Sequence, residues 1–455
     1  MYLHLSEAVS RGMVSESRLR AAVTNLYTTR LKLGMEQDKE LPDNPYDKIP
    51  YSVVDSVEMR EFNESVSEKT FVLLKNNGIL PLNREKLRTI AVIGPNADSR
   101  RALVGNYEGT ASRYITISEG IQDYVGDSVR VLVSEGCDLY KDNWKKNRIA
   151  EVREMAEMSD VVILCLGLDA GIEGEQGDAG NDFASGDKPD LNLPGEQNQI
   201  LEAALDSGKP VVVLLLSGSA LAVNTAQERA AAVMQCWYPG AQGGRAAARI
   251  LFGEVSPQGH LPVTFYKSTE ELPEFTDYSM KNRTYRYMKQ EALYPFGYGL
   301  TYTSFAYDKM ECAADMHTFQ KMKAGEKIQL PVSVRVCNTG NFDCAETVQV
   351  YNGYVTPIYL SARLQVYVKA LCEDSPNPQL KGFGKVFLKA GEEKQVTVWL
   401  SEEAFGLYDE NGRIYFTDEG YTVYIGGSQP DTRSLTLTGT IPLRQNLWSE
   451  MVNNT

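Results

Sequence analysis

Glu173 and Glu175 are the two residues of this 455-residue chain whose type and spacing most favour acid–base chemistry. They stand in a loop, residues 169–190, that carries seven acidic side chains, one basic side chain and five glycines. A carboxylic acid donates a proton near neutral pH when burial or a neighbouring negative charge raises its pKa. The pair therefore predicts a general acid or base, and a solvated acidic loop is the alternative that the residues leave open.

A cation site is a third interpretation of this loop, because Asp178, Asn181 and Asp182 offer the oxygen ligands that Ca²⁺ and Mg²⁺ prefer. Their spacing lacks the order of an EF-hand, so we predict neither a metal nor a cofactor. Residues 94–98, Gly-Pro-Asn-Ala-Asp, follow a predicted strand. They match neither the dinucleotide fingerprint nor the phosphate-binding loop, which disfavours a nucleotide site.

Tyr107 and Ser112 are the predicted substrate-binding residues. They belong to a polar and aromatic loop, residues 105–114, that we expect on the same side of the sheet as the acidic loop. Such side chains suit hydrogen bonding and stacking on a sugar, and they are equally typical of an exposed loop. The sequence does not separate these two interpretations.

Composition excludes several classes of partner. The net charge of −14 argues against a nucleic-acid groove and against an anionic membrane surface. The seven cysteines have no metal-ligand spacing, and Cys165 and Cys236 lie in apolar runs typical of buried free thiols. This usage fits a reducing compartment, and the first residues lack the pattern of a signal peptide. We therefore expect a cytoplasmic protein, and the sequence leaves open whether it forms a homo-oligomer.

The elements that position these residues are of two kinds. Before residue 305, runs of Val, Ile and Leu alternate with amphipathic helices, which predicts a mostly parallel sheet with helices on both faces, an α/β fold. From residue 328 the apolar period becomes two, which predicts an antiparallel β-sandwich. The predicted organisation is helices in 1–34, a linker in 35–52, the α/β domain in 53–305, a second linker in 306–327 and the sandwich in 328–445.

The order of several motifs resembles the C-terminal half of glycoside hydrolase family 3, the β-glucosidase and β-xylosidase family. The motifs are Ala91-Val-Ile-Gly-Pro-Asn-Ala97, Glu173-Gly-Glu175, Leu191-Asn-Leu-Pro-Gly-Glu-Gln197, Trp237-Tyr-Pro-Gly240, Gly259-His-Leu-Pro-Val263 and Tyr294-Pro-Phe-Gly-Tyr-Gly-Leu-Thr-Tyr302. Residues 379–392 are similar to the fibronectin type III-like domain that ends many members. Residues 1–34 look like the last helices of the family's (β/α)₈ barrel, whose strands are not in this chain.

The resemblance implies a retaining exo-acting β-glycosidase that hydrolyses terminal non-reducing β-linked sugars of an oligosaccharide or other β-glycoside. It implies an aspartate nucleophile on a barrel supplied in cis or in trans, and a glutamate acid/base on the loop of Glu173 and Glu175. We expect Glu175 to be the acid/base, with Glu173 as the close alternative. Lys188 stands where many relatives have arginine, which keeps the charge.

The absent barrel leads us to expect no turnover from this chain alone. The rival interpretation is a non-catalytic carbohydrate-binding or assembly module built from the same two domains. Which sugar is bound cannot be deduced, because the resemblance places the selecting subsite mainly in the barrel.

Overall fold

The computed structural model describes residues 2–35, 45–173, 188–312, 316–346, 364–370, 376–416, 421–430 and 445–446. The chain divides into two compact units, residues 1–59 and residues 60–455. Within the described residues, no helix combines the length and the apolar character needed to cross a membrane.

The first unit contains α1, Leu5–Ser10, and α2, Glu16–Lys32. The side chain of Ser15 caps α2 by accepting a hydrogen bond from the backbone N–H of Arg18 (3.2 Å). Neither helix buries a residue. The apolar residues of these two helices therefore lie at the surface of the unit.

A six-stranded sheet forms the centre of the second unit, with the strand order β1-β6-β5-β4-β2-β3. Its strands are β1 Val72–Asn76, β2 Thr89–Ile93, β3 Arg130–Ser134, β4 Val161–Gly167, β5 Val211–Leu216 and β6 Ala232–Gln235. All neighbours pair in parallel except β1, which is antiparallel to β6. The predicted, mostly parallel sheet is confirmed.

Helices cover both faces of this sheet because its strands have no polar face. The described helices between α2 and the antiparallel region are α3 Val57–Thr70, α4 Ile117–Val125, α5 Ile149–Glu157, α6 Gln197–Leu205, α7 Asn224–Arg229, α8 Gly243–Leu251 and α9 Thr284–Tyr287. Successive residues of β1, β2, β4, β5 and β6 alternate between two cores, one shared with α5, α6 and α7 and the other with α4 and α8, whereas the edge strand β3 is partly exposed. The strands β4 and β5 are buried along their whole length.

An antiparallel region follows. Its described strands and α-helix are β7 Phe305–Cys312, α10 Met316–Lys323, β8 Gln329–Asn338, β9 Cys344–Glu346, β10 Leu364–Ala370, β11 Gln379–Gly384, β12 Val386–Leu388, β13 Glu393–Ser401, β14 Leu407–Tyr408, β15 Ile414–Tyr415, β16 Tyr421–Gly426 and β17 Gln445–Asn446. One sheet has the order β13-β8-β7 and another the order β11-β10-β16-β17. Side chains from both sheets share one core, as in a sandwich.

The predicted linker of residues 306–327 is wrong for most of its length. It holds nearly all of β7, which pairs with β8, and it holds α10. The alternation of apolar residues in β7 is short and interrupted by Asp308 and Lys309, so the sequence pattern did not reveal a strand whose partner lies about twenty-five residues further on. Residues 347–351, Thr-Val-Gln-Val-Tyr, alternate between polar and apolar side chains and are predicted to form a strand of the sandwich, and they lie outside the described residues.

Candidate active-site edge of the parallel sheet

The candidate site lies where the parallel strands β4, β5 and β6 end. Because these strands are neighbours and run in one direction, the loops that follow them leave the same edge of the sheet. The strand order also reverses at β2, which has β3 on one side and β4 on the other. Open α/β sheets bind ligands outside the carboxyl ends of their strands, at such a reversal.

Gln197 fixes the end of β4. Its side-chain amide accepts a hydrogen bond from the backbone N–H of Gly167 (2.8 Å) and donates one to the carbonyl of the same residue (2.8 Å). Gln197 is fully buried at the start of α6. Gly167 itself has φ of +135°, and a Cβ there would lie 2.1 Å from the carbonyl oxygen of Leu216, so only glycine fits.

Asp169 begins the loop after β4 and is buried. Its carboxylate accepts a hydrogen bond from the N–H of Gly171 (2.7 Å) and pairs with the Nε of Arg101 (3.4 Å). The carbonyl of Asp169 accepts from the N–H groups of Ile172 (3.2 Å) and Glu173 (3.1 Å). The chain therefore makes one tight turn, with Ile172 buried in the core, and delivers Glu173 back across the end of the sheet.

Glu173 accepts hydrogen bonds from three donors on the two neighbouring loops. The backbone N–H of Gly218 donates to its Oε2 (2.7 Å), the hydroxyl of Ser219 donates to its Oε1, and the hydroxyl of Tyr238 donates to its Oε2. Both carboxylate oxygens are thus used as acceptors by the protein itself. This arrangement holds the Glu173 side chain in one position.

The surroundings of Glu173 shift the pKa of two neighbours. Burial and the negative charge of Glu173 raise the pKa of Tyr238 well above its usual range, so its hydroxyl stays a neutral donor. Burial lowers the pKa of Lys188, while the charges of Glu173 and Asp190 act in the opposite direction. The Nζ of Lys188 donates to the carbonyl of Ala220.

The two described residues that border segment 174–187 are therefore attached to one place. Glu173 accepts hydrogen bonds from Gly218 and Ser219, and Lys188 donates to Ala220, so both ends of the segment meet the loop of residues 217–220 after β5. A second layer supports that loop, because Gln235 donates to the carbonyl (2.9 Å) and the hydroxyl (3.1 Å) of Ser217.

The strands and loops of this edge belong to a part of the chain that matches a known protein family. Residues 71–302 match the family profile described as glycosyl hydrolase family 3 C-terminal domain, and residues 363–429 match the fibronectin type III-like domain. The chain belongs to glycoside hydrolase family 3. The resemblance found in its motifs is confirmed, and so is the α/β fold followed by an antiparallel domain.

Family 3 relatives match nearly the whole chain. A protein of Formosa agariphila named beta-xylosidase is 32% identical over 438 residues, which is 92% of this chain and 55% of that relative. A protein of Salmonella typhimurium named periplasmic beta-glucosidase is 28% identical over 458 residues, 93% of this chain and 56% of that relative. The solved structure of a β-glucosidase from Erythrobacter marinus superposes with a TM-score of 0.74 at 29% identity, covering 94% of this chain and 56% of that one. The chain spans little more than half the length of these family members.

The residues predicted to bind substrate are not partners of Glu173. Tyr107 is 94% exposed, and Ser112 accepts a hydrogen bond from Arg60 (2.8 Å). Their loop nevertheless approaches the site, because a Cβ on Gly105 would lie 3.7 Å from the ring of Tyr238. Glu175, together with Asp178, Asn181 and Asp182, lies outside the described residues. In the described part of the chain, no group of three or more His, Cys, Asp or Glu side chains is arranged to hold a metal ion.

Ser219 and Tyr238 were not identified from the sequence, where the glycine-containing motif of residues 237–240 favoured a structural role. A usable signal was present, since both residues come within three positions of the ends of β5 and β6. Once β4, β5 and β6 are predicted to be parallel neighbours, polar residues at those positions are expected near the residues that follow β4.

Proposed function

We propose that this chain supplies the acid/base half of a retaining, exo-acting β-glycosidase that removes terminal non-reducing sugars from β-glycosides. The observation that carries the proposal is the attachment of both ends of the acidic segment to the 217–220 loop, at the carboxyl edge of the sheet. Membership of family 3 and the names of the relatives, β-xylosidase and β-glucosidase, support the reaction class.

Glu175 is the proposed proton donor, and Glu173 is the proposed anchor of the loop. The three donors around Glu173 occupy both of its oxygens, which suits a fixed side chain better than one that exchanges a proton with substrate. The covalent chain keeps the Cα atoms of residues 173 and 175 within about 7 Å of each other. In a retaining mechanism the acid/base protonates the leaving oxygen and later deprotonates the attacking water.

The nucleophile is proposed to come from a (β/α)₈ barrel outside this chain, in cis or in trans. Apolar residues of α2 support an additional packing partner, because Val23, Leu26, Tyr27 and Leu31 recur at helical spacing and are 44–57% exposed. A helix with such a stripe normally buries it against another element. Changing Leu26 and Leu31 to serine is expected to weaken association with the barrel and to leave residues 60–455 folded.

The decisive experiment compares Glu175→Gln with Glu173→Gln in the polypeptide that also contains the barrel. With aryl β-glucosides and β-xylosides, Glu175→Gln is expected to lower kcat/KM about 10²–10⁴-fold for poor leaving groups and much less for good ones. Azide is expected to rescue it, because a small anion replaces the water that the missing base would activate. A uniform loss across leaving groups, without rescue, would contradict the assignment of Glu175.

Glu173→Gln is the matched control, since it makes the same isosteric change two residues away. We expect a loss of activity that is independent of the leaving group and is not rescued by azide, as befits a positioning residue. The 455-residue chain by itself is expected to show no turnover. If the barrel-containing polypeptide binds xylobiose or cellobiose but hydrolyses neither these nor the aryl glycosides, the carbohydrate-binding module is the correct function.

The sugar is proposed to be glucose or xylose, following the names of the relatives. A panel of aryl β-glucoside, β-xyloside, α-L-arabinoside and β-N-acetylglucosaminide, assayed on the barrel-containing polypeptide, decides between them. The cytoplasmic location stays a prediction, and the sequence leaves open whether the chain forms a homo-oligomer. Free, mostly buried thiols in the described residues agree with a reducing compartment, whereas the Salmonella relative is named periplasmic. Cell fractionation tests the cytoplasmic location, and light scattering measures whether the chain forms a homo-oligomer.

A further inference from the structure

One side of the helix α3 follows the turn of residues 237–242, which comes after β6. Asn63, Ser67 and Thr70 are spaced by four and three residues, so they lie above one another on the same side of the helix. Each of the three makes a hydrogen bond to that turn. They belong to the same compact unit as the sheet. Three successive positions on the helix therefore hold three points along one turn.

Asn63 holds the far end of the turn. Its Oδ1 accepts a hydrogen bond from the backbone N–H of Gln242 (2.9 Å). Gly240 allows this close approach, because its φ is +81° and a Cβ there would overlap the side-chain amide of Asn63. The N–H of Gly240 donates to the carbonyl of Leu103 (2.6 Å). The helix and the turn are thus in direct contact at this point.

Ser67 and Thr70 hold the residues on either side of Tyr238. Ser67 is buried, and its hydroxyl donates to the carbonyl of Pro239. The carbonyl of Thr70, at the end of α3 where intrahelical donors are lacking, accepts from the indole N–H of Trp237 (3.1 Å). Tyr238 therefore has a neighbour on each side that is bonded to α3.

The turn needs such support because its backbone is strained. Trp237 has φ of +57°, a left-handed value that a bulky residue rarely adopts. Its ring also packs edge-on against Phe265, with ring centroids 6.4 Å apart. A strained residue keeps its conformation only when the surrounding structure fixes it from several directions. Without the contacts from α3 we expect the backbone at residue 237 to relax and to move Tyr238 away from Glu173.

The adjacent side of α3 fixes the helix itself. Glu64 and Glu68 are four residues apart, and both accept hydrogen bonds from Nη1 of Arg249 in α8, at 2.9 Å for Glu64. The Nε of Arg249 donates to Glu254 (3.0 Å). Charge-assisted hydrogen bonds of this kind are stronger than neutral ones, and Glu68 is buried. They oppose rotation of α3 about its axis, so its other side stays against the turn.

We propose that Asn63 and Ser67 are positioning residues for the acid loop, because through the turn they hold the hydroxyl of Tyr238 on the carboxylate of Glu173. The catalytic consequence rests on the proposed function. In the described part of the chain, neither side chain is a hydrogen-bond partner of Glu173, so both act through Tyr238. Their loss is therefore expected to lower kcat and to leave KM nearly unchanged.

A double-mutant cycle in the barrel-containing polypeptide tests this path. Asn63→Leu removes the acceptor at similar size, and Tyr238→Phe removes the hydroxyl. Each is expected to lower kcat for an aryl β-glycoside about tenfold, and the double variant also about tenfold, whereas independent effects would multiply to about a hundredfold. Asn63→Asp keeps an acceptor oxygen for Gln242 and is expected to retain the activity.

Ser67→Ala guards against an Asn63→Leu variant that fails to fold, since it removes one hydroxyl only, and it is expected to show the same non-additivity with Tyr238→Phe. Glu61→Leu is the matched control, because it makes the same change at an exposed position of α3 and is expected to be fully active. The proposal is overturned if the losses at residues 67 and 238 multiply. It is equally overturned if Ser67→Ala raises KM instead of lowering kcat, or if Glu61→Leu loses as much activity as Asn63→Leu.

Hydrogen exchange in the 455-residue chain separates this inference from the proposed function. The N–H of Gly218 donates to Glu173 and lies on a loop that Asn63 and Ser67 do not bond. We expect Ser67→Ala to speed its exchange about tenfold, and Glu61→Leu to leave it unchanged. If the enzyme is active and Ser67→Ala alters neither kcat nor this exchange, the positioning role fails and the function stands. If no glycoside is hydrolysed but the exchange is faster, the function fails and the positioning of Glu173 stands.

Discussion

The parallel sheet and the first two helices use the same kinds of apolar residue in opposite ways. Every residue of β4 and β5 is buried, whereas α1 and α2 bury none. The sheet is covered on both faces by helices from its own sequence neighbourhood, so residues 60–302 form a complete core. In the described part of the first unit, α1 and α2 carry exposed apolar residues and bury none, so we expect their stability to depend on a packing partner more than that of the sheet does.

A pair of glycines gives the largest expected difference between the two regions. In Gly167→Ala the new Cβ would meet the backbone of Leu216 at 2.1 Å in a φ of +135°, whereas in Gly12→Ala, with φ of +69°, nothing lies within 4 Å. We expect Gly167→Ala to lower the free energy of unfolding by about 3 kcal/mol or more, from backbone strain and overpacking. Gly12→Ala is expected to leave the main urea transition unchanged. Equal shifts for both variants would contradict the comparison.

Two leucines test the same difference through side-chain burial. Leu214 in β5 is fully buried, and Leu31 in α2 is 52% exposed. Leu214→Ala is expected to cost about 2–5 kcal/mol, the usual range for a buried leucine that leaves a cavity. Leu31→Ala is expected to change the free energy of unfolding by less than about 0.5 kcal/mol. Urea unfolding followed by circular dichroism measures both, and a cost above 2 kcal/mol for Leu31→Ala would show that the stripe already has a partner.

Two helix caps provide a smaller contrast. Thr116 caps α4 in a capping box with Glu119 and is buried, while Ser15 caps α2 at the surface. Thr116→Ala is expected to lower the free energy of unfolding by about 1–2 kcal/mol. Ser15→Ala is expected to reduce helicity by circular dichroism without moving the main transition. The contrast between the sheet domain and the first two helices is wrong if Thr116→Ala and Ser15→Ala shift the midpoint of urea unfolding equally.

The smallest expected effect is a change in how the free energy of unfolding depends on pH when Lys188 is replaced. Burial holds its pKa below the ordinary 10.5 in the folded chain, so the unfolded chain binds the proton more tightly between the two values. The stability of the unaltered chain should therefore gain a rising contribution as pH increases through that window. Lys188→Met is expected to lose this rise in urea titrations carried out at alkaline pH up to the ordinary value of 10.5. Lys32→Met, at an exposed site on α2, is the control and should keep it.

Sequence patterns were sufficient for the elements whose own residues show an unbroken apolar run or a clear apolar period. The unbroken apolar runs predicted β4 and β5, and the alternation from residue 328 predicted β8 and β13. They failed for β7, because its pairing with β8 rather than its own composition makes it a strand. They also predicted that Glu173 follows a buried strand, and β4 ends six residues before it.

The amino-acid sequence by itself determined the α/β class, the acidic loop and the family, because these depend on residue types and on local periods. Only the tertiary structure decided which side chains contact Glu173. Its partners Ser219 and Tyr238 come from loops 46 and 65 residues away. They meet it because three parallel strands end side by side. Sequence separation carries no information about such a meeting until the strand order is known, and the strand order is fixed by how both faces of the sheet are packed.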